Sequence, residues 1–184
     1  MTELASAAQL RGAFMRWALF LVPGVVLLGL LSGVLAGSGP GNPWFDGLVK
    51  PSLYPPPQTF GVVWTVLYVL IGVAVSMVAS ARGASGRHAA LIAFAVQLVL
   101  NLAWSPLFFA GHQITGALAL IALLDIAVIV TIALFWRVRP VAALLLVPYL
   151  AWILFATLLT WQFLAANPYA EGYAVARPVQ RIPL

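Results

Sequence analysis

The chain has 184 residues, of which 64% are hydrophobic and 7% are charged, and its formal net charge is +5. Soluble domains carry charged residues at about 25% to cover their surface, so this composition excludes an ordinary soluble globular class. The chain has no cysteine, which excludes disulfide bonds and thiolate metal sites within it. Its arginines are scattered rather than clustered, a pattern that does not favour nucleic-acid binding.

Five long apolar stretches predict five transmembrane helices. They cover residues 17–36, 59–80, 88–109, 114–136 and 141–164. About 20 helical residues cross the ~30 Å hydrocarbon core of a bilayer, so each stretch is long enough. We therefore predict an all-α integral membrane protein whose five-helix bundle covers residues 17–164. A tail at 1–16 precedes the bundle, and a tail at 165–184 containing proline and arginine follows it.

The first stretch follows Arg11 and Arg16, as in a signal peptide, but its apolar run exceeds the ~7–15 residues of such peptides. We expect a retained helix. Basic residues near the helix ends favour a cytoplasmic N-terminus by the positive-inside rule. The N-terminal side has Arg11, Arg16, Arg82, Arg87, Arg137 and Arg139, and the opposite side has Lys50, Arg177 and Arg181. The excess of arginine over lysine is typical of a GC-rich genome, so we expect a bacterial cell membrane.

The connection between the first two helices, at about 37–58, is long and contains six prolines. Because proline fixes φ and lacks an N–H donor, we predict a stiff segment without helix. Aromatic residues such as Trp44, Phe45 and Tyr54 indicate a lid over the mouth of the bundle. The alternative is an aromatic belt at the level of the lipid headgroups. The other connections, at 81–87, 110–113 and 137–140, are tight and predict antiparallel neighbours.

Helical spacing selects the side chains that should face the interior of the bundle. Because an amide is costly against lipid, the face of Asn101 should point inward. Aromatic faces with N–H and O–H groups can form an apolar pocket for a flat hydrophobic ligand, although ordinary core packing is the alternative. The selected residues are Trp64 and Tyr68 on the second helix, Gln97, Asn101, Trp104 and Phe108 on the third, and Tyr149, Trp152, Ala156, Thr160 and Phe163 on the fifth.

Small residues recur every four positions on the first two helices and predict faces for close helix packing. These residues are Gly29, Gly33 and Gly37, followed by Gly72, Ser76 and Ser80.

Asp125 is the only acid within a predicted span. A proton relay or a ligand contact is one interpretation, and a structural hydrogen bond to Asn101, Gln97, a serine or a threonine is the other. His88 and His112 lie at helix ends, outside the aromatic stripes and without a second ligand at metal spacing. We expect both to be interfacial side chains rather than ligands of a metal or haem.

Three blocks of sequence resemble a known family in order and spacing. The first runs from Trp44-Phe45-Asp46 through Lys50-Pro51 and Pro55-Pro56 to residues 63–68. The second covers residues 97–109, and the third covers residues 147–152 and 155–157. Together they resemble the TspO/MBR family, which comprises the tryptophan-rich sensory proteins and the translocator protein, or peripheral-type benzodiazepine receptor.

The resemblance implies a five-helix bundle, often a homodimer, in which the first connection closes a ligand pocket. It implies porphyrins such as protoporphyrin IX, or haem, as ligands and not as resident cofactors, together with a transport, receptor or sensory role. Carried over by motif, the lid residues are Phe45 and Pro55. The residues of the pocket wall are Trp64, Tyr68, Asn101, Trp104, Ser105, Trp152 and Ala156.

Two other functions stay open. Trp64 and Trp152 match tryptophans that the resemblance associates with light-dependent porphyrin breakdown, an enzymatic role. A membrane regulator that contacts protein partners through its tails or a dimer face is the other. Animal members of the family bind cholesterol, but residues 159–164 have neither the tyrosine nor the basic residue of sterol-associated motifs, so sterol binding is doubtful.

Overall fold

The computed structural model describes residues 7–171, and the regular secondary structure in that range is entirely helical. Five segments are long and apolar enough to cross a bilayer, which confirms the predicted architecture. In chain order the elements are α1 (Ala7–Leu35), α2 (Pro43–Gly47), α3 (Pro57–Ser80), α4 (Arg87–Ser105), the π-helical turn Pro106–Ala110, α5 (Ile114–Val138), α6 (Pro140–Leu145) and α7 (Val147–Ala166). The five spans are α1, α3, α4 with its π-helical turn, α5, and α6 with α7.

α1 begins well before the apolar stretch that starts at residue 17. Its first turns contain alanine, glutamine, leucine and arginine, all of which favour a helix even where they are exposed. Residues 7–16, which we expected to form part of a tail, are therefore helical.

The segment between α1 and α3, residues 36–56, is called the connector below. Our prediction that it contains no helix was wrong, because α2 forms one short helical turn there. Pro43 occupies its first position, where a missing N–H is not needed. The Asn42 Oδ1 atom accepts hydrogen bonds from the backbone N–H groups of Trp44 and Phe45, both at 3.1 Å, and thereby caps the helix.

Prolines also interrupt two of the spans. At Pro106, α4 changes into the π-helical turn, and the Gly111 N–H donates to the Pro106 carbonyl at 2.8 Å. Between α6 and α7 the helix breaks at Leu146, two residues before Pro148. A proline ring clashes with the carbonyl four residues earlier and removes one hydrogen bond, which accounts for the break.

The spans form a closed ring in the order α1, α3, α6–α7, α5 and α4, with α4 returning to α1. Two members of the predicted small-residue faces bring α1 and α3 together. A Cβ atom added to Gly72 would lie 2.7 Å from the Val22 Cα atom, and one added to Gly29 would overlap the Tyr68 ring. Close packing of these antiparallel helices therefore requires glycine at both positions.

We expect Gly72→Ala to destabilise the bundle by about 1–3 kcal/mol, because its methyl group overlaps the α1 backbone at Val22. The measurement is equilibrium unfolding in mixed detergent micelles. Gly24→Ala is the matched control, since a Cβ atom at Gly24 meets nothing within 4 Å. That control should be neutral or stabilising by up to about 1 kcal/mol through helix propensity. Equal effects at the two positions would contradict the packing argument.

Candidate ligand-binding cavity

A cavity of about 400 Å³ lies between the connector and α1, α3, α4, α5 and α7. Ten aromatic side chains border it, and none of the described residues that line it is charged. Small-molecule sites usually occupy about 300–1,000 Å³ and are mostly apolar with a few polar groups. The cavity therefore has the size and chemistry of a site for a hydrophobic ligand.

Eight of the nine residues assigned by the family resemblance border this one cavity. They are Phe45, Trp64, Tyr68, Asn101, Trp104, Ser105, Trp152 and Ala156. The exception is Pro55, which is not among the lining residues, whereas its neighbours Tyr54 and Pro57 are. Successive residues of a non-helical segment point in different directions, so the motif located this turn without identifying which side chain faces inward.

Helical periodicity explains how distant residues meet at the cavity. Trp64 and Tyr68 are four residues apart on α3, and Trp152 and Ala156 are four apart on α7, so each pair shares a face. Sequence reasoning missed Phe60 and Phe109, which also line the cavity. Phe60 lies one turn before Trp64, and this spacing was a signal that could have identified it.

A series of hydrogen bonds connects Tyr68 and Asn101, which line the cavity, with Tyr149 and Gln97, which are buried in the bundle. The Tyr68 hydroxyl donates to Asn101 Oδ1 at 3.1 Å, and Asn101 Nδ2 donates to the Tyr149 hydroxyl oxygen at 3.1 Å. The Tyr149 hydroxyl then donates to Gln97 Oε1 at 3.0 Å. Gln97 and Asn101 are buried, as predicted for this face of α4. The series pairs both polar atoms of Asn101 and both tyrosine hydroxyls, whereas Gln97 Nε2 has no hydrogen-bond partner among the described residues.

Two indole N–H groups beside the cavity have no hydrogen-bond partner among the described residues. They belong to Trp104 and Trp152, and both Nε1 atoms are shielded from water. Because an indole nitrogen is only a donor, nothing but an acceptor can satisfy it. The cavity wall therefore contains two hydrogen-bond donors that have no partner among the described residues.

Asp125 forms the structural hydrogen bond that was one of its two interpretations. The Thr157 hydroxyl lies 2.8 Å from Asp125 Oδ2 and 3.0 Å from the Ile153 carbonyl, and its one hydrogen can be donated to either. Asp125 is buried between α5 and α7 but does not line the cavity, so the structure places it beside the site and not in it.

The connector inserts aromatic side chains into the protein. Trp44 and Phe45 are 5% and 3% exposed, and Phe45 has its ring centre 5.8 Å from that of Phe163 on α7. Trp44 contacts Phe108 edge to face at 5.5 Å. These two residues are thus enclosed by protein, and an aromatic belt among lipid headgroups does not describe them. Leu53, by contrast, is exposed.

His112 does not lie apart from the aromatic residues, as we had expected. Its ring stacks on Trp44, with centres 4.6 Å apart and planes 18° from parallel. The contact joins the connector to the loop between α4 and α5, a pairing across the fold that helical spacing does not show. His112 also adopts a positive φ of 54°, which is uncommon for a residue other than glycine.

The end of α7 forms hydrogen bonds to the connector. Asn167 Oδ1 accepts from the Val49 N–H at 2.8 Å, and Asn167 Nδ2 donates to the Val49 carbonyl at 3.0 Å. The Trp44 indole N–H donates to the Ala170 carbonyl at 2.9 Å. Sequence analysis placed this segment in a tail that contacts protein partners in one of the open alternatives, whereas the structure shows Asn167 and Ala170 supporting the connector. Residues 172–184 of the C-terminal tail lie outside the described residues.

Lys50 stabilises the connector from within. Its Nζ atom donates to the carbonyls of Phe45 and Leu48 and lies 4.2 Å from the centre of the Phe45 ring. Partial burial lowers the pKa of Lys50 below its ordinary value, and the nearby negative charge of Asp46 opposes that change. The positive charge of Lys50 therefore interacts with the backbone carbonyls of Phe45 and Leu48 and with the face of the Phe45 ring.

The sequence was compared with those of known proteins. Residues 20–165 match the profile of the TspO/MBR family. The chain is 39% identical over 130 residues to the tryptophan-rich protein TspO of Chlorobaculum tepidum, covering 70% of this chain and 82% of that protein. It is 38% identical over 136 residues to the translocator protein of Homo sapiens, covering 73% and 80%. The chain belongs to the TspO/MBR family.

A third relative is the tryptophan-rich sensory protein of Cereibacter sphaeroides, 37% identical over 124 residues, which cover 67% of this chain and 77% of that protein. Family membership confirms the resemblance drawn from the sequence motifs. Together with the five apolar helices, it identifies an integral multi-pass membrane protein and supports a membrane receptor or sensory role.

We expect Asn167→Ala to loosen the connector, because it removes both partners of the Val49 backbone. The Val49 amide should exchange its hydrogen about tenfold faster or more, since about 1.4 kcal/mol of lost protection corresponds to a factor of ten. Hydrogen exchange of the protein in nanodiscs is the measurement.

Asn167→Asp is the control, because it keeps an acceptor for the Val49 N–H while losing the Nδ2 donor. It should protect the Val49 amide better than Asn167→Ala does. If the amide exchanged at the unchanged rate in both variants, Asn167 would not support the connector.

Proposed function

We propose that this protein is a membrane receptor that binds porphyrins, such as protoporphyrin IX or related tetrapyrroles, in the aromatic cavity. The observation that supports it most is the convergence of eight motif residues from the connector and three helices on one uncharged cavity. Transport of the bound tetrapyrrole across the membrane is compatible with the same site.

The shape of the wall suits a flat, polarisable ring system. Trp64 stacks on Tyr68 with ring centres 5.2 Å apart, and Trp104 stacks on Phe108 at 5.1 Å. Aromatic faces attract other rings in offset or edge-to-face arrangements, which a macrocycle can extend. Because no described lining residue is charged, carboxylates of a tetrapyrrole would remain at the opening of the cavity.

The unpaired indoles supply the polar recognition in this proposal. A buried donor without a partner costs about 1–3 kcal/mol, and a ligand acceptor that reaches Trp104 or Trp152 would remove that cost. Free-base porphyrins, whose ring contains two unprotonated pyrrole nitrogens, and other flat ligands with carbonyl oxygens supply such an acceptor.

The connector gives the proposed sensory role a physical basis. Phe45 and Tyr54 belong to the connector and also line the cavity, so a bound ligand touches an element at the membrane surface. In this proposal the connector serves as the lid of the cavity, and its conformation reports whether the cavity is occupied.

We expect protoporphyrin IX to bind the protein in nanodiscs with a saturable fluorescence change. Trp104→Phe and Trp152→Phe keep an aromatic ring but remove the N–H, so each should weaken binding about tenfold, the effect of losing one hydrogen bond of about 1.4 kcal/mol. The measurement is a fluorescence titration of each variant.

Trp161→Phe is the matched control, because Trp161 lies on α7 with Trp152 but is 55% exposed and does not line the cavity. It should bind like the unchanged protein. Absence of saturable binding by the unchanged protein would refute the proposed function, whereas equal losses in all three variants would place the ligand elsewhere.

Light-dependent porphyrin breakdown is the second candidate, and one observation favours it. Trp64 and Trp152, the two candidate reactive residues, border the same cavity from different helices. A porphyrin bound there would lie beside both indoles, which are readily oxidised when light and oxygen act on the ligand.

Replacing both Trp64 and Trp152 with phenylalanine should abolish product formation under illumination while part of the binding remains. Absorption spectra recorded in light and in darkness, at equal porphyrin occupancy, provide the measurement. Unchanged product formation in the double variant would rule out these indoles as the reactive groups.

A further inference from the structure

The cavity is not equally enclosed on all sides. Its lining residues on α4, α5 and α7 are buried or half-buried. Those on α1 and α3 include exposed residues, and Val34 on α1 is 75% exposed although it lines the cavity. The other exposed lining residues on these two helices are Leu30, Pro57 and Gly61. The cavity therefore meets its surroundings between α1 and α3, and also at the connector, where the lining residues Ser38 and Pro40 are exposed.

The space around the glycines of α1 and α3 shows why a gap lies between these two helices. Deep in the bundle α1 and α3 touch, because Cβ atoms at Gly72 and Gly29 would collide with Val22 and Tyr68. Towards the connector, two glycines on these helices have free space beside them. A Cβ atom at Gly61 would meet nothing within 4 Å, and one at Gly33 would meet only the Ser38 Oγ atom at 3.8 Å. Both Gly33 and Gly61 line the cavity.

The gap lies at a depth that a membrane ligand can reach. Gly61 is one turn inside the start of α3, and Gly33 is two residues before the end of α1. At a rise of ~1.5 Å per residue, both positions are about 3–6 Å below the helix ends, near the boundary between headgroups and acyl chains. An amphiphilic ring system with an anionic edge concentrates at this boundary.

We propose that ligands reach the cavity sideways from the bilayer, through an opening between α1 and α3 bordered by Gly33 and Gly61. This inference rests on the proposed function for the identity of the ligand. The macrocycle passes edge-on between the helices, and its carboxylates stay at the opening among the headgroups. This route does not require the connector to leave the bundle, where Phe45 packs on Phe163 of α7 and Trp44 packs on Phe108 of the π-helical turn.

The route predicts a kinetic effect of filling the gap. Gly33→Leu and Gly61→Leu place a side chain in the opening without a backbone collision. Each should slow the association of protoporphyrin IX with the protein in nanodiscs at least about tenfold, and slow its dissociation as well, because the same opening serves both directions. Stopped-flow fluorescence measures both rates, and Gly33→Val is a smaller substitution if a leucine variant does not fold.

Gly24→Leu is the matched control, since Gly24 lies on α1, has open space for a Cβ atom and does not line the cavity. Its rates should equal those of the unchanged protein.

A second experiment fixes the connector in place. Cysteines are introduced at Val49 and Pro168, in a chain that has none, and are joined by a short bis-maleimide. Both positions are exposed, and the Val49 backbone is hydrogen-bonded to Asn167.

Unchanged association in the cross-linked protein, with slow association in the glycine variants, supports the lateral opening. Slow association in the cross-linked protein, or unchanged rates in the glycine variants, overturns it and leaves porphyrin binding itself intact. If the unchanged protein does not bind protoporphyrin IX, the proposed function fails first, and the titration distinguishes that outcome from failure of the route.

Discussion

Backbone hydrogen bonding at the mouth of the bundle is the constraint on which the site depends. Within a membrane, helices satisfy their own N–H and C=O groups, but the connector leaves that pattern beside an apolar cavity. Short polar side chains supply the missing partners. Asn42 caps α2 and also donates to the carbonyls of Gly37 and Phe109, while Asn167 pairs both polar groups of Val49. The connector is thus ordered by amide side chains in addition to its prolines.

The cavity follows from where small and large residues lie along the same helices. Glycines allow α1 and α3 to touch at Gly72 and Gly29, whereas α3, α4 and α7 present aromatic side chains to the cavity. Aromatic rings are rigid and prefer tilted or offset contacts, so they fill the space between the helices incompletely. On the connector side, Trp44 contacts Phe108 edge to face, and Phe45 contacts Phe163 in a tilted arrangement. Aromatic residues that border the cavity are therefore also ones on which the connector packs.

Much of this arrangement could be predicted from the sequence, because two of its causes are local. Hydropathy over twenty residues determines which segments span the bilayer, and a period of 3.6 residues places Trp64 with Tyr68 and Asn101 with Trp104. What could not be predicted depends on contacts across the fold. The stacking of His112 on Trp44 and the bonding of Asn167 to Val49 join residues far apart in the chain.

The short helix α2 and the absence of Pro55 from the cavity lining show a different limit. Prolines were read as helix breakers, yet Pro43 begins α2 because its missing N–H is not needed at the first helical position. The motif identified the turn containing Pro55, but which side chain of a non-helical turn faces the cavity depends on its backbone angles. Tyr54 and Pro57 face it instead.

The series of hydrogen bonds beneath the cavity has capacity left for a polar ligand group. Asn101 Oδ1 accepts from Tyr68, and one Nδ2 hydrogen is donated to Tyr149, so the second Nδ2 hydrogen is not used within this series. An amide oxygen has two lone pairs, so Oδ1 can also accept a second hydrogen bond. In the proposed receptor, a ligand group that reached Asn101 could therefore bond to it while the contacts to Tyr68 and Tyr149 persist. A ligand that displaced the Tyr68 hydroxyl would instead leave that hydroxyl in an apolar wall, where an unmade hydrogen bond is costly, and the disturbance would extend through Tyr149 to Gln97.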